Sequence, residues 1–293
     1  MNYIREIYIN EFAYIWFQHA TYYYDDKWDY RFISNNPNIT WDLVQQQPYK
    51  LWNYDSISSH ANITWDIIQH NPSKFYEDDD DLENIGLHGL SDNPNTTWEF
   101  VQQHPEINWI YAWLGSNPNI TWDIIQQHPE LPWDYCSIGV NPNITLDIVL
   151  NHSVYFDLTW LGWLCLNPNI TWDVVQQHPE LNWDYQELSK NPNITLDIIL
   201  ANPDKPWNFA HLGANPNITW DLVQKHPEIK WNYYWLSSNP NITWDIVRNN
   251  EYHPWNREKL LENPMTAWRD QFVATKIKDY LCVSAPLNEE LKG

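Results

Sequence analysis

The sequence predicts an all-α fold, an α-solenoid (superhelix) of repeats of ~24 residues, each an α-helix followed by a second short α- or 3-10 helix. Three observations lead there. An apolar landmark recurs at Trp41, Trp65, Trp98, Trp122, Leu146, Trp172, Leu196, Trp220, Trp244 and Trp268, most often at that same step. Two further apolar ladders keep the step. One runs through Trp52, Trp109, Trp133, Trp183, Trp207, Trp231 and Trp255, the other through Ile33, Ile57, Leu114, Ile138, Leu188, Leu212, Leu236 and Leu260. The third observation is composition: 43% hydrophobic with 21 Trp, and 20 Pro against 7 Gly, an ordered chain with many fixed corners. One unit cannot bury three such ladders alone, so neighbours must stack into an elongated body.

The elements follow in chain order. Residues 1–30 read as an N-terminal cap or degenerate repeat that keeps the landmark Trp28-Asp29-Tyr30. Residues 31–265 are the repeat solenoid. Two steps in it are longer than the rest, the one from Trp65 to Trp98 and the one from Leu146 to Trp172. They place surface loops at an acidic insertion near 73–90 and at residues 152–163. Residues 266–293 read as a capping helix, from about Trp268 to Leu281, and a tail; Lys276 and Lys278 set this helix apart from the acidic body.

Each unit repeats a word such as "NPNITWDIIQQHPELPWDYCSIGV", residues 117–140. Pro118 fixes a turn and disfavours helix at Asn117. Asn119 or Thr121 serves as N-cap, the side-chain oxygen taking a free backbone N–H. Asp123 falls in the first turn, where a carboxylate complements the helix dipole. Ile120, Ile124 and Ile125 give the apolar face, and Pro129 ends the helix. Trp133, Tyr135 and Ile138 fit a short α or 3-10 turn. Strand propensity is present in Ile, Val, Thr and Trp, but the apolar positions do not alternate.

The repeat word "NPNITWDLVQKHPEIKWNYYWLSSNPNITWDIV" and the closing "ENPMTAWRDQF" resemble the tryptophan-rich repeat proteins encoded in many copies by giant DNA viruses of amoebae. The resemblance covers almost the whole chain and implies a viral protein, in the cytoplasm of an infected cell or in the virion, without naming an activity. The spacing of the words, with NPN before a helix, is also similar to leucine-rich repeat variants, which alternate an α-helix with a 3-10 helix.

Charge and motifs bound the function. Lys and Arg number 16 against 38 Asp and Glu, a net charge of −22. That field repels phosphate backbones and anionic membrane surfaces, so neither direct nucleic-acid nor membrane binding is expected. Cys136, Cys165 and Cys282 are odd in number and far apart, which speaks against a disulfide framework and for a reducing compartment. Glu6 and Glu11 interrupt the first apolar run, so the chain is not expected to be secreted. GxSxG, P-loop, HExxH and GxGxxG are absent, and no enzyme, cofactor or metal is expected.

Several repeated residues look like sites. Asn38, Asn62, Asn119, Asn143, Asn169, Asn193, Asn217 and Asn241 begin Asn-Ile-Thr sequons, but turn and cap duty explains them. His104, His128, His178 and His226 precede prolines, one layer (about 10 Å) apart, too far for one metal. Asp42, Asp66, Asp123, Asp147, Asp173, Asp197, Asp221 and Asp245 fit first-turn positions; as a stripe they could meet cations or a basic partner. Glu77, Asp78, Asp79, Asp80 and Asp81 break the period and are the candidate docking residues for a basic protein partner. The expected function is therefore a non-enzymatic scaffold for protein–protein interaction with an acidic extended surface. Self-association into a viral particle or fibre is the alternative, and a nucleic-acid mimic that binds basic proteins a third.

Overall fold

The computed structural model describes residues 2–22, 30–75, 88–156 and 161–284. Trp28, the run Glu77–Asp81 and the tail after Ser284 lie outside the described residues. Within them the chain is all-α, with no strand, and short helices recur at the expected step. Typical units pair a six-residue first helix, such as Trp122–Gln127, with a shorter second helix, such as Tyr135–Ile138. The C-terminal helix spans Thr266–Ser284, slightly beyond the expected limits, and a long N-terminal helix spans Asn2–Tyr22.

The choice of N-cap resolves in favour of threonine. Thr121 is extended, and its side chain accepts the Ile124 amide at 3.4 Å; Thr97, Thr145, Thr171, Thr195, Thr219 and Thr243 do the same for their helices. The helix therefore begins at Trp122, and Ile120 sits ahead of it, fully buried in the turn. At the other end the ladder tryptophan closes the helix. Trp133 Nε1 donates to His128 O at 2.9 Å, and Trp109, Trp183 and Trp231 repeat the bond to His104, His178 and His226. This bond adds a second donor to a carbonyl at the helix end that already accepts the amide three residues on, a use for an indole N–H that another large apolar ring lacks.

Two ladders hold the units together. The first asparagine of each NPN corner is buried at Asn36, Asn93, Asn117, Asn141, Asn167, Asn191, Asn215, Asn239 and Asn263. Asn141 is typical: its Nδ2 donates to Gly115 O, Asn117 O and Ile120 O of the preceding unit at 2.8–2.9 Å, while its Oδ1 accepts the Asn143 amide at 2.8 Å. Two residues before Asn263 stands Leu261; at the same place before every other corner stands a small buried residue, Ser34, Ser58, Ser91, Gly115, Gly139, Cys165, Ser189, Gly213 or Ser237. It lets successive second helices approach closely. A Cβ on Gly213 would lie 3.1 Å from Leu236 N and 3.2 Å from Asn232 O. At Ser34, Ser91, Ser189 and Ser237 the hydroxyl accepts an amide at the start of the next second helix, from Asn53, Ile110, Asn208 and Asn256. Second helices pack on one another from unit to unit and form the inner wall, with the first helices fanned out around it.

The array is closed. Asn36 in the first corner donates to Leu261 O and Asn263 O, both at 2.8 Å, and Asn38 donates to Pro264 O at 2.8 Å. These are the same bonds that join any unit to its predecessor, here spanning the whole chain. Helix Tyr30–Ser34 correspondingly packs on helix Arg257–Glu262. The two long terminal helices lie antiparallel against each other: Phe12 meets Trp268 and Phe272 with ring centroids 4.9 and 5.7 Å apart, His19 also meets Trp268, and Lys276 pairs with Glu11. One composite unit, with a helix from each end of the chain, completes a ring. The expected elongated shape is thus corrected: neither terminal helix covers a free end, because the repeat word at 263 binds the repeat word at 36 as it would any neighbour. At the seam Met265 replaces the second asparagine and adopts φ 45°, a strained backbone for this residue type.

Candidate functional site

The residues that look most like sites are engaged by the fold. Each sequon asparagine donates across the unit boundary, as Asn143 does to Pro118 O at 2.7 Å and Ile120 O at 3.2 Å. A glycan on that nitrogen would replace one of its two N–H donors and would have to fit at the boundary between units. The histidine ladder is structural. His104, His128, His178 and His226 cap the first helix with backbone groups and pair through Nδ1 with Glu106, Glu130, Glu180 and Glu228 at 2.8–3.3 Å. The imidazole beside Glu106 holds that carboxyl below its usual range. Among the described residues no group of three or more His, Cys, Asp or Glu side chains is placed to hold a metal ion. No helix among them is long and apolar enough to cross a membrane.

What remains exposed is acidic. The aspartates of the ladder sit in the first turn of each first helix and face solvent, and the glutamates follow the helix end. The aspartates stand at one end of the first helices and the glutamates beyond the other. Two acidic rows therefore run around the outside of the ring. The candidate run Glu77–Asp81 lies outside the described residues, but its anchoring is visible.

Both breaks in the period share one device. In a regular unit the ladder tryptophan packs on the tryptophan of the preceding first helix, as Trp207 does on Trp172 at 5.6 Å, and on the tyrosine of the preceding second helix, as Trp207 does on Tyr185 at 5.0 Å. At the two insertions a phenylalanine fills this place. Phe75 meets Trp41 and Tyr54 at 5.5 and 5.4 Å, and Phe156 meets Trp122 and Tyr135 at 5.7 and 5.6 Å. Beyond each insertion a 3-10 helix, His88–Ser91 or Leu164–Leu166, stands in place of the second α-helix.

Two concave sites result from broken regularity. A cavity of about 800 Å³ lies at the seam, between the terminal helices and the first two units, with Trp41 and Ile67 among its apolar lining and Arg5, Asp42, Arg269 and Asp270 among its charged groups. A smaller one, about 300 Å³, lies at the second insertion and is walled by Trp133, Tyr135, Tyr155, Phe156 and Trp163. The sequence marks residues 152–163 as irregular but does not indicate the pocket, because it depends on Phe156 occupying a tryptophan's place and on Trp163 lying outside every ladder.

No protein-family model matches this chain, and neither a curated protein nor a solved structure does.

Proposed function

We propose that this protein is a non-enzymatic binding ring that presents acidic rows to a basic protein partner. The observation that carries this reading is the division of labour among repeated residues. The buried Asn, Ser, Trp and Ile ladders and the capping threonines are engaged within the array, whereas the repeated aspartates and glutamates face solvent and give a chain of net charge −22. The resemblance of the NPNITWD word to giant-virus repeat proteins supports a viral protein acting in the infected cytoplasm or the virion. A closed array has no free repeat end, which argues against end-to-end self-association as its mode of action.

The test compares the wild type with a variant neutralised along one row, D123N, D147N, D173N and D197N. Asparagine keeps a polar side chain at exposed first-turn positions, so folding is retained. Partners recovered from infected-cell extract with the wild type should be basic, should elute between 50 and 500 mM salt (roughly, from Debye lengths above 10 Å down to about 4 Å), and should be lost with the variant. Retention of the same partners by the neutralised ring would sink the proposal.

A further inference from the structure

The aromatic pocket at the second insertion has a chemistry that its sibling units explain. At three other units the tyrosine that opens a second helix has its ring covered by a lysine from the next unit, while Tyr233 is stacked by His253 and Leu131 stands at the same place beyond Tyr111. Lys50 Nζ lies 5.3 Å from the Tyr30 ring centre, Lys74 lies 5.9 Å from Tyr54, and Lys205 lies 5.9 Å from Tyr185. The covering lysine stands two residues before the ladder tryptophan, at Lys50 and Lys205, or one before the substituting phenylalanine, at Lys74. At the second insertion the position before Phe156 is Tyr155, which stacks on Tyr135 at 5.1 Å and 13°. The lysine is replaced by another ring.

The pocket beside this stack is bounded by Trp133, Phe156 and Trp163 as well. Among the described residues its lining carries one acidic residue, Asp134, and no Lys or Arg. Tyr155 and Trp163 remain 49% and 45% exposed at its mouth. Five aromatic rings, one carboxylate and an acidic field favour a cation with a weakly held hydration shell, attracted by the ring quadrupoles. The volume of about 300 Å³ suits a single side-chain head group rather than a larger ligand.

We propose that this pocket binds an alkylammonium head, supplied by a lysine or trimethyllysine side chain of the partner protein. The identity of the partner rests on the binding-ring reading above; the pocket itself does not. The test therefore begins with a small probe. Choline, titrated calorimetrically into the full chain, should bind saturably, while its neutral isostere 3,3-dimethylbutan-1-ol should bind at least roughly tenfold more weakly. W163A, Y155A and D134N should each lower choline affinity by roughly threefold to tenfold. Trp163 and Tyr155 are half exposed, and asparagine preserves the cap that Asp134 provides, so the thermal melts should stay close to wild type. Equal binding of the isostere, no saturable binding of choline, or variants that bind as the wild type would overturn the site. A trimethyllysine peptide should compete with choline. Failure of the peptide alongside binding to phosphatidylcholine vesicles would overturn the protein side chain as the source and leave the pocket standing. Loss of partner capture from the neutralised row, with choline binding unchanged, would separate the two proposals.

Discussion

At the scale of single residues the corner asparagine matters most. At Asn141 its amide ties three buried carbonyls of the preceding unit together, and a buried polar group left without its partner costs about 1–3 kcal/mol. Asn141→Ala should therefore destabilise by about 3 kcal/mol in a denaturant titration; a change under about 1 kcal/mol would show the ladder to be dispensable. One corner breaks the rule. His60 stands where asparagine is expected, 4% exposed, with Nδ1 3.4 Å from Ile39 O and Nε2 without a partner. Burial lowers its pKa from 6.5 to about 4. Since the folded state prefers the neutral ring, this corner's contribution is intact above pH 6.5 and is lost as the pH falls toward 4. H60N should raise stability at neutral pH by about 1 kcal/mol, and its advantage should grow by up to about 3 kcal/mol on acidification. A constant difference across that range would contradict the assignment. Cysteine reactivity gives a further check: burial pushes the Cys165 thiol up to about 12, so it should resist alkylation at pH 8 until the protein unfolds. The sequence displays every corner asparagine, but its role is not legible there. Asparagine beside proline reads as a turn residue, and only the stacked neighbour reveals what its amide binds.

At the scale of elements, the first helices have six residues and are marginal alone. They stand because threonine caps one end, the ladder indole takes a carbonyl at the other, and neighbours cover the apolar face. These features are largely legible, since the cap, the proline stop and the tryptophan sit in fixed register within each word. The insertions are not. Phe75 and Phe156 arrive one residue early for the tryptophan ladder, so a search on the period skips them. Their packing makes a sharp contrast testable. Deleting Glu77–Asp81 should move the melting temperature by no more than about 2 °C, because Phe75 closes the core before that run begins. Phe75→Ala should cost about 3–4 kcal/mol. A deletion as damaging as the alanine variant would mean that the acidic run packs into the stack.

At the scale of the whole molecule, closure decides the shape. A compact chain of 293 residues has a radius of gyration of about 19 Å. An open rod of the same units, each adding a helix-packing distance to its length, would have a radius of gyration roughly half as large again. X-ray scattering from the intact chain should lie close to the compact value, and removal of Thr266–Ser284 should move it toward the larger one while exposing Phe12 and Trp16. Closure escapes a sequence reading because the bond from Asn36 to Asn263 uses the same vocabulary as every internal step. A hint exists: Phe12, Ala13, Trp16, Phe17 and Ala20 form an apolar stripe on the N-terminal helix that is richer than a solvent-facing cap needs. The acidic rows were legible as ladders; that they circle the molecule follows only from the seam.

Counting is where the ring differs most from its open relatives in architecture. Corners at 36, 60, 93, 117, 141, 167, 191, 215, 239 and 263 divide a full turn into steps of about 36°. A rod can gain or lose a copy by unequal recombination and remain a rod. Here an eleventh copy would have to shave a little from every joint, or leave the circle sprung open at Asn36. The number of words is therefore locked by geometry, while their spelling at exposed positions stays free to drift.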